Sequence, residues 1–391
     1  MKVLQVLLSA GTGYGGPPAM VRELAGALAD LGVESSVVTL SHRGSANVQF
    51  PDDVTLRICG NAAEPKVGLP ETGSLLRILF QETKSADLVH LHDMWHFPQL
   101  AGAIASRLRN RPYIVSPHGA LEPWCLRQHR VLKVIAWESY QRSILNEAQW
   151  VHTLTLREQK TVQDLGVRSP ISVIPSGVNL RSIDGFRRIG LPENDERGGV
   201  KQPFVLYLGR LDPKKQVDVL LDAFVRVAME NREISLTVAG SDPYGSWASM
   251  SKRIRQTGLS DRVCYLGYVD ELMKFDLMSS AELFIQPSRT EGLSMAVLEA
   301  MACGTPVIVS SGCNIPEVEE FRAGFVVPDK APDFSHAIVQ VLQDDALRNL
   351  MKQNARRLIE ERFTARAMAI AMKSVYEESL VSYKRAGRTA G

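Results

Sequence analysis

Short apolar runs and amphipathic stretches alternate along almost the whole of this chain. Residues 3–8, 35–40, 88–91, 113–116, 150–152 and 171–174 form runs rich in Val, Ile and Leu. They are too short for helices and apolar enough to be covered on both faces. Between them, residues 19–31, 75–84, 100–108, 131–145 and 157–165 place apolar side chains at helical spacing. Strands of that kind, separated by helices of that length, predict a parallel sheet with right-handed crossovers. From 184 to 202 the pattern lapses into Gly185, Gly190, Pro192, Gly198 and Gly199 among charges, which reads as a linker. A second alternation follows, with strands expected over 204–208, 234–239, 263–266, 283–286 and 307–310. Helices are expected near 217–228, 247–256, 270–279 and 293–302, and residues 334–384 read as almost wholly helical.

The fold class expected is therefore α/β, with two facing, Rossmann-like, doubly wound parallel-sheet domains. The first is expected over 1–184 and the second over 203–363, with a helical tail of about 364–386 returning to the first. Ligands in such sheets bind beyond the carboxyl ends of the strands, so an interdomain cleft is the expected site.

Composition narrows the class further. With 391 residues, 45% hydrophobic and 23% charged, the chain can fill two globular cores and does not fit a collagenous, mucin-like, coiled-coil or disordered chain. Its apolar runs fall short of the roughly 20 residues a membrane helix needs. Met1-Lys2-Val3 enters a strand at once, so no signal peptide and a cytoplasmic location are expected. Five scattered cysteines read as packed, reduced thiols. Residues 1–190 hold 20 basic and 16 acidic residues and the remainder 25 and 27, a split of +4 and −2. Lacking a clustered basic stripe, the chain is not expected to bind nucleic acid.

Four segments carry candidate chemistry. Gly11-Thr12-Gly13-Tyr14-Gly15-Gly16 precedes the first helix, and its glycines would let backbone N–H groups approach an anion. The spacing Gly11, Gly13, Gly16 also fits a dinucleotide fingerprint, but the acid expected to end the second strand is missing from Thr39-Leu40-Ser41-His42-Arg43. A plain flexible turn, a phosphate- or sugar-facing loop and an NAD site all remain open readings there. His90 and His92 alternate onto one side of a strand, as a metal pair would, yet no third ligand follows at a useful spacing. His118 stands at a strand's carboxyl end before Gly119, where it either bonds to backbone or lines a cleft. Gly209-Arg210-Leu211-Asp212-Pro213-Lys214-Lys215 leaves a strand with cations placed to meet a phosphate. In Thr290-Glu291-Gly292-Leu293-Ser294-Met295 a helix is expected from about Leu293, with Glu299 two turns beyond Glu291 on nearly the same face. Its free N–H groups would hold an anion and its two carboxylates sugar hydroxyls.

Taken with the following Glu299-Ala300-Met301-Ala302-Cys303-Gly304-Thr305-Pro306-Val307, these motifs resemble the retaining GT-B glycosyltransferases of family 4 over nearly the whole chain. The resemblance implies that Arg210 and Lys215 bind the donor diphosphate, that Glu291 contacts donor-sugar hydroxyls and that Glu299 holds the ribose. It also implies a phosphate cradle of amides over Gly292, Leu293, Ser294 and Met295, a sugar contact by His118 near the reacting centre, and an approach by Gly16. His118, Glu291, Arg210 and Lys215 are then the catalytic set. The family usually has Gly where this chain has Gln216, a departure that puts the turn in question and gives Lys214 a possible share of the phosphate. Pro17 and Pro18 also depart from the family's usual residues but suit a first helical turn.

The function so implied is transfer of a sugar from a nucleotide-sugar, with UDP the expected base, to a saccharide or lipid-linked saccharide in bacterial polysaccharide or glycoconjugate synthesis. The alternatives are a GT-B nucleotide-sugar epimerase and an NAD-dependent oxidoreductase. No Asp-x-Asp occurs, so neither a metal nor another cofactor is expected. Residues 121–145 mix Arg127, His129, Arg130, Lys133 and Arg142 with Trp124, Val131, Ile135 and Trp137. That segment reads either as a surface for peripheral contact with an anionic membrane, at the inner face of the cell membrane, or as an amphipathic helix facing the core.

Overall fold

The computed structural model describes residues 1–11, 14–42, 48–62, 72–191 and 199–389. It divides into two compact units, one of Met1–Gly177 with Ala365–Gly391 and one of Val178–Thr364.

The first unit holds a parallel sheet of β1 (Lys2–Ser9), β2 (Glu34–His42), β3 (Thr55–Ala62), β4 (Leu88–His92), β5 (Tyr113–Ser116), β6 (Trp150–Thr153) and β7 (Ile171–Val173). Their order is β3-β2-β1-β4-β5-β6-β7. In the second, β8 (Phe204–Leu208), β9 (Ser235–Ala239), β10 (Val263–Tyr265), β11 (Leu283–Gln286), β12 (Val307–Ser310) and β13 (Gly324–Val327) pair in parallel as β10-β9-β8-β11-β12-β13. All residues of β4, β9, β11 and β12 are buried, which is why their sequences are mostly apolar, with His90 and His92 as the polar pair on one side of β4. Strand order reverses between β1 and β4 and again between β8 and β11. Such reversals open a crevice at the carboxyl ends, the usual ligand position in doubly wound sheets.

Two strands, β3 and β13, are additional to those expected. β3 interleaves Arg57, Gly60 and Asn61 and leaves Ile58 exposed, as a sheet edge permits. In β13, a Cβ at Gly324 would overlap the Val307 carbonyl, so the strand begins on the one residue that fits. The helix Gly16–Ala29 accommodates both prolines in its first turn. The long C-terminal helical stretch is three helices, Ala331–Gln343, Asp345–Arg362 and Ala365–Thr389. Asp344 makes the first break by accepting from the Leu347 amide.

The first unit ends at Gly177 rather than near 184. Val178 donates to the Phe363 carbonyl at 2.9 Å and bridges Thr364, while Asp184 receives two bonds from Arg356 at 2.7 and 2.8 Å. The stretch read as a linker is also tethered in its described part, because Asp276 accepts from the amides of Ile189 and Gly190. Residues 192–198 of it lie outside the described residues. Ala365–Thr389 packs on Gly16–Ala29 and buries Met368, Ala369, Met372 and Tyr376 in the first unit. Burying each of the two methionines contributes about 1.5 to 3 kcal/mol.

Candidate functional site

In the second unit the predicted residues gather at the β8/β11 reversal. Arg210 follows β8, and its guanidinium lies 3.2 Å from Asp212, whose other oxygen caps the short 3₁₀ turn Pro213–Lys215 through the Lys214 amide. That turn aims Lys215 at Glu291, with Nζ 2.5 Å from Oε1. Ser288 donates to the same oxygen at 2.6 Å and receives a bond from Gln286, the last residue of β11. The Glu291 backbone is fixed at both ends. Its amide donates to Gly312 and its carbonyl accepts from Asn314. A Cβ at Gly312 would overlap the carbonyls of Ser288 and Arg289, so glycine there lets the two loops close.

Glu291 is buried, which by itself raises a carboxyl group's pKa. The charges of Lys215 and Lys214 and the bonds from Lys215 and Ser288 outweigh burial and hold it at about 2.

The helix beyond Glu291 starts at Met295, not Leu293, so the helical spacing argument for Glu291 and Glu299 does not apply. Glu291 is a loop residue, whereas Glu299 lies in the second turn of Met295–Ala302 and meets Lys274 at 2.7 Å. Each carboxylate therefore has its own cation. Lys274, on the helix Glu271–Ser280, is absent from the sequence reading because its motif neighbours carry no chemistry. The Ser294 side chain makes no cap bond and the first turn has no acid, so the helix presents uncapped N–H groups beyond Gly292 and Leu293.

Gln216 takes φ 50° and ψ 44°, the left-handed geometry that glycine adopts freely. The turn is thus retained without glycine, at a cost of roughly 1 to 2 kcal/mol. Lys214 has its amide on Asp212 and its carbonyl on the Arg289 amide, and its charge reaches Glu291.

In the first unit the histidines meet at the β1/β4 reversal. His90 and His92 do share one side of β4, with ring centroids 4.0 Å apart. They are not a metal pair, because all four ring nitrogens already have hydrogen-bond partners: Tyr376 and Ser116 for His90, Gln5 and His118 for His92. His152 joins through Ser116 and the Ile174 carbonyl. Burial, helped by neighbouring imidazoles, holds His90 and His92 well below the usual histidine range. Burial likewise brings His118 to about 3 and His152 to about 4.

His118 stacks on His92 and has φ 53°, followed by Gly119 at φ 77°. The buried carboxylate of Glu158 holds this turn, accepting from the Gly119 amide at 2.5 Å and the Leu154 amide at 2.7 Å. Burial raises that carboxyl to about 7 against those two bonds. His118 bonds to a side chain, not to backbone. The bonds to Glu158 and the stack on His92 hold His118 in this left-handed conformation.

Gly16 opens the helix Gly16–Ala29, while Thr12 and Gly13 lie outside the described residues. Residues 123–147 form the helix Pro123–Arg127, the helix Arg130–Ala136, a π turn over Trp137–Gln141 and the helix Arg142–Glu147. The core-facing reading fails for Arg130–Ala136, in which no residue is buried. Val131, Leu132, Val134 and Ile135 are 54 to 73% exposed, so the apolar side chains face outward. Lys133 instead turns in, donating to the Cys125 carbonyl at 2.6 Å. No helix among the described residues is long and apolar enough to cross a membrane.

Both units are similar to known proteins. Residues 15–177 match the glycosyl transferase 4-like domain, and residues 193–358 match glycosyl transferases group 1. The D-inositol 3-phosphate glycosyltransferase of Jonesia denitrificans is 28% identical over 424 aligned positions, taking in 96% of this chain and 94% of the relative. A GDP-mannose-dependent monoacylated alpha-(1-6)-phosphatidylinositol monomannoside mannosyltransferase of Corynebacterium glutamicum is 25% identical, covering 77% of this chain and 89% of its own. Among solved structures, Anabaena HepE in complex with UDP and glucose superposes with a TM-score of 0.75 at 20% identity, over 97% of this chain and 100% of that one. The dehydrogenase and epimerase readings fall away, and the chain belongs to the group 1 glycosyl transferases as a glycosyltransferase of the GT-B fold.

Proposed function

We propose that the chain transfers a sugar from a nucleotide-sugar, a UDP-sugar by preference, to a saccharide or lipid-linked saccharide acceptor with retention of configuration. The observation that carries the donor half is the Lys215–Glu291 contact beside an uncapped helix N-terminus. A diphosphate suits the ammonium of Lys215, the guanidinium of Arg210 and the amides of residues 292–295, while sugar hydroxyls suit the two carboxylates, Glu291 and Glu299. In this reading the anomeric carbon–oxygen bond to phosphate breaks and the acceptor oxygen bonds to that carbon from the same face. The acceptor's proton passes to the departing phosphate oxygen. Arg210, Lys215 and the helix N-terminus stabilise the charge that grows there, which is electrostatic preorganisation rather than acid or base work by a side chain. Without an Asp-x-Asp, the reading routes no step through a metal or another cofactor.

Among the proteins compared, HepE was solved with UDP, whereas the Corynebacterium enzyme is named for GDP-mannose. A thermal-shift series with UDP, GDP, ADP and their sugars decides the base. UDP compounds are expected to raise Tm and the others to leave it unchanged. Stabilisation by a GDP compound alone overturns the choice of UDP.

The acceptor side adds a peripheral membrane contact at the inner face of the cell membrane. What supports it is the outward apolar face of Arg130–Ala136, flanked by Arg127, Arg130 and Arg142. Such a surface suits anionic lipid, and a glycan carried on lipid would be presented there.

A further inference from the structure

The histidines of the first unit form one continuous hydrogen-bond chain, and its direction is determined. At one end His152 Nε2 lies 2.8 Å from the Ile174 carbonyl, which can only accept. His152 is buried and neutral, so its Nδ1 must accept, and the donor 2.6 Å away is the Ser116 hydroxyl. Having given its proton, Ser116 accepts from His90 Nε2 at 2.6 Å. His90 Nδ1 is then the acceptor, and the Tyr376 hydroxyl donates to it at 2.8 Å.

Tyr376 has one proton, now committed, so it faces the amino group of Gln5, at 3.5 Å the longest link. That orientation turns Gln5 Oε1 toward His92 Nε2 at 2.7 Å, which must donate. His92 Nδ1 accepts in turn, and the donor at 3.0 Å is His118 Nε2. Each link is fixed by the one before, starting from the backbone carbonyl that follows the edge strand β7. Among the described residues His118 Nδ1 has no hydrogen-bond partner, and the His118 side chain is partly exposed.

We infer that His118 is held as a single tautomer, Nε2 protonated and Nδ1 bare, and meets its ligand as a hydrogen-bond acceptor for a hydroxyl. Gln5, His90, His92, Ser116, His152 and Tyr376 are positioning residues that act through this chain. The acceptor role excludes proton donation by His118 and excludes a phosphate oxygen as its partner. Tyr376 lies on Ala365–Thr389, so the last helix takes part in setting the state of a loop residue 258 positions earlier. The ligand contact rests on the proposed glycosyl-transfer reading, whereas the tautomer does not.

The test is therefore spectroscopic first. Full-length protein labelled with ¹⁵N-histidine is examined by long-range ¹H–¹⁵N correlation at pH 7, with H118N identifying the His118 signals. The expected result is one protonated Nε2 and one unprotonated Nδ1; an Nδ1–H tautomer, a cation or a mixture in the wild type overturns the inference. Tyr376→Phe frees the Gln5 amide to rotate, and is expected to mix the His118 tautomers and lower kcat/KM about tenfold, the worth of one hydrogen bond. A single unchanged tautomer in that variant overturns the positioning role. Should Y376F not fold, Ser116→Ala interrupts the same chain with a smaller change and is read the same way. An inactive wild type with the expected tautomer refutes the transfer reading and the ligand contact that rests on it, and leaves the tautomer standing.

Discussion

Lys215 and Ser288 share one oxygen of Glu291, at 2.5 and 2.6 Å, while its second oxygen accepts no hydrogen bond among the described residues. The carboxylate is thus oriented from one side and open on the other, an arrangement suited to a hydroxylated ligand. The ammonium keeps further N–H donors beyond the one on Glu291.

Arg210→Ala and Lys215→Ala should each cost about 2 to 4 kcal/mol of transition-state stabilisation, roughly 30- to 1,000-fold in kcat/KM, because each removes a cation from the proposed diphosphate site. Steady-state kinetics on purified variants with unchanged far-UV spectra will show it. Near-normal turnover in either variant contradicts the proposed site.

The pH dependence of stability has a definite sign at Glu291. Its folded pKa, about 2, lies below the ordinary 4.5, so its contribution is present above pH 4.5 and disappears as pH falls toward 2. Acid titrations should show E291Q losing less stability than the wild type across that window. Parallel curves for the two proteins would mean that the ion pair adds nothing.

Lys274→Met leaves Glu299 buried without its cation, and should destabilise the fold by about 3 kcal/mol in urea denaturation. Adding Glu299→Leu to it should restore most of that loss, because a buried pair replaced by apolar groups is close to neutral. A double variant no better than the single one would refute the pairing.

Gln216→Gly should stabilise the protein by about 1 kcal/mol, since glycine relieves the left-handed strain at φ 50° and loses part of the gain through chain entropy. Tm should rise with the donor KM unchanged; a fall in Tm would show that the glutamine side chain contributes more than its backbone costs.

Val131→Glu with Ile135→Glu should abolish flotation with anionic liposomes and leave activity on a soluble acceptor intact. Equal flotation of the variant and the wild type would place any membrane contact elsewhere.

Much of the architecture is legible in the sequence, because fully buried parallel strands write themselves as apolar runs. β4, β9, β11 and β12 are of that kind, while β3 escapes notice because an edge strand tolerates Arg57 and Gly60. Arg210, Lys215 and Glu291 are visible because motif and strand terminus coincide, whereas Glu299 is visible only through the motif that surrounds it. Lys274 and Tyr376 are not, since each reaches its partner across 25 and 286 positions of sequence and has an unremarkable neighbourhood. The apolar side chains of Arg130–Ala136 show the opposite failure: periodicity announces an apolar face but cannot say which way it points.

The helix Ala365–Thr389 supplies Met372 and Tyr376 to the interior of the unit that the chain began with. During synthesis, the second unit has its whole sequence available once Thr364 has been made, and its two ends meet at Val178 and Thr364. The first unit, begun earlier, must wait with an unfilled groove beside Gly16–Ala29 until the final helix emerges. Order of translation and order of completion are therefore reversed, and a nascent chain stalled before residue 365 would expose the apolar surface that this helix covers.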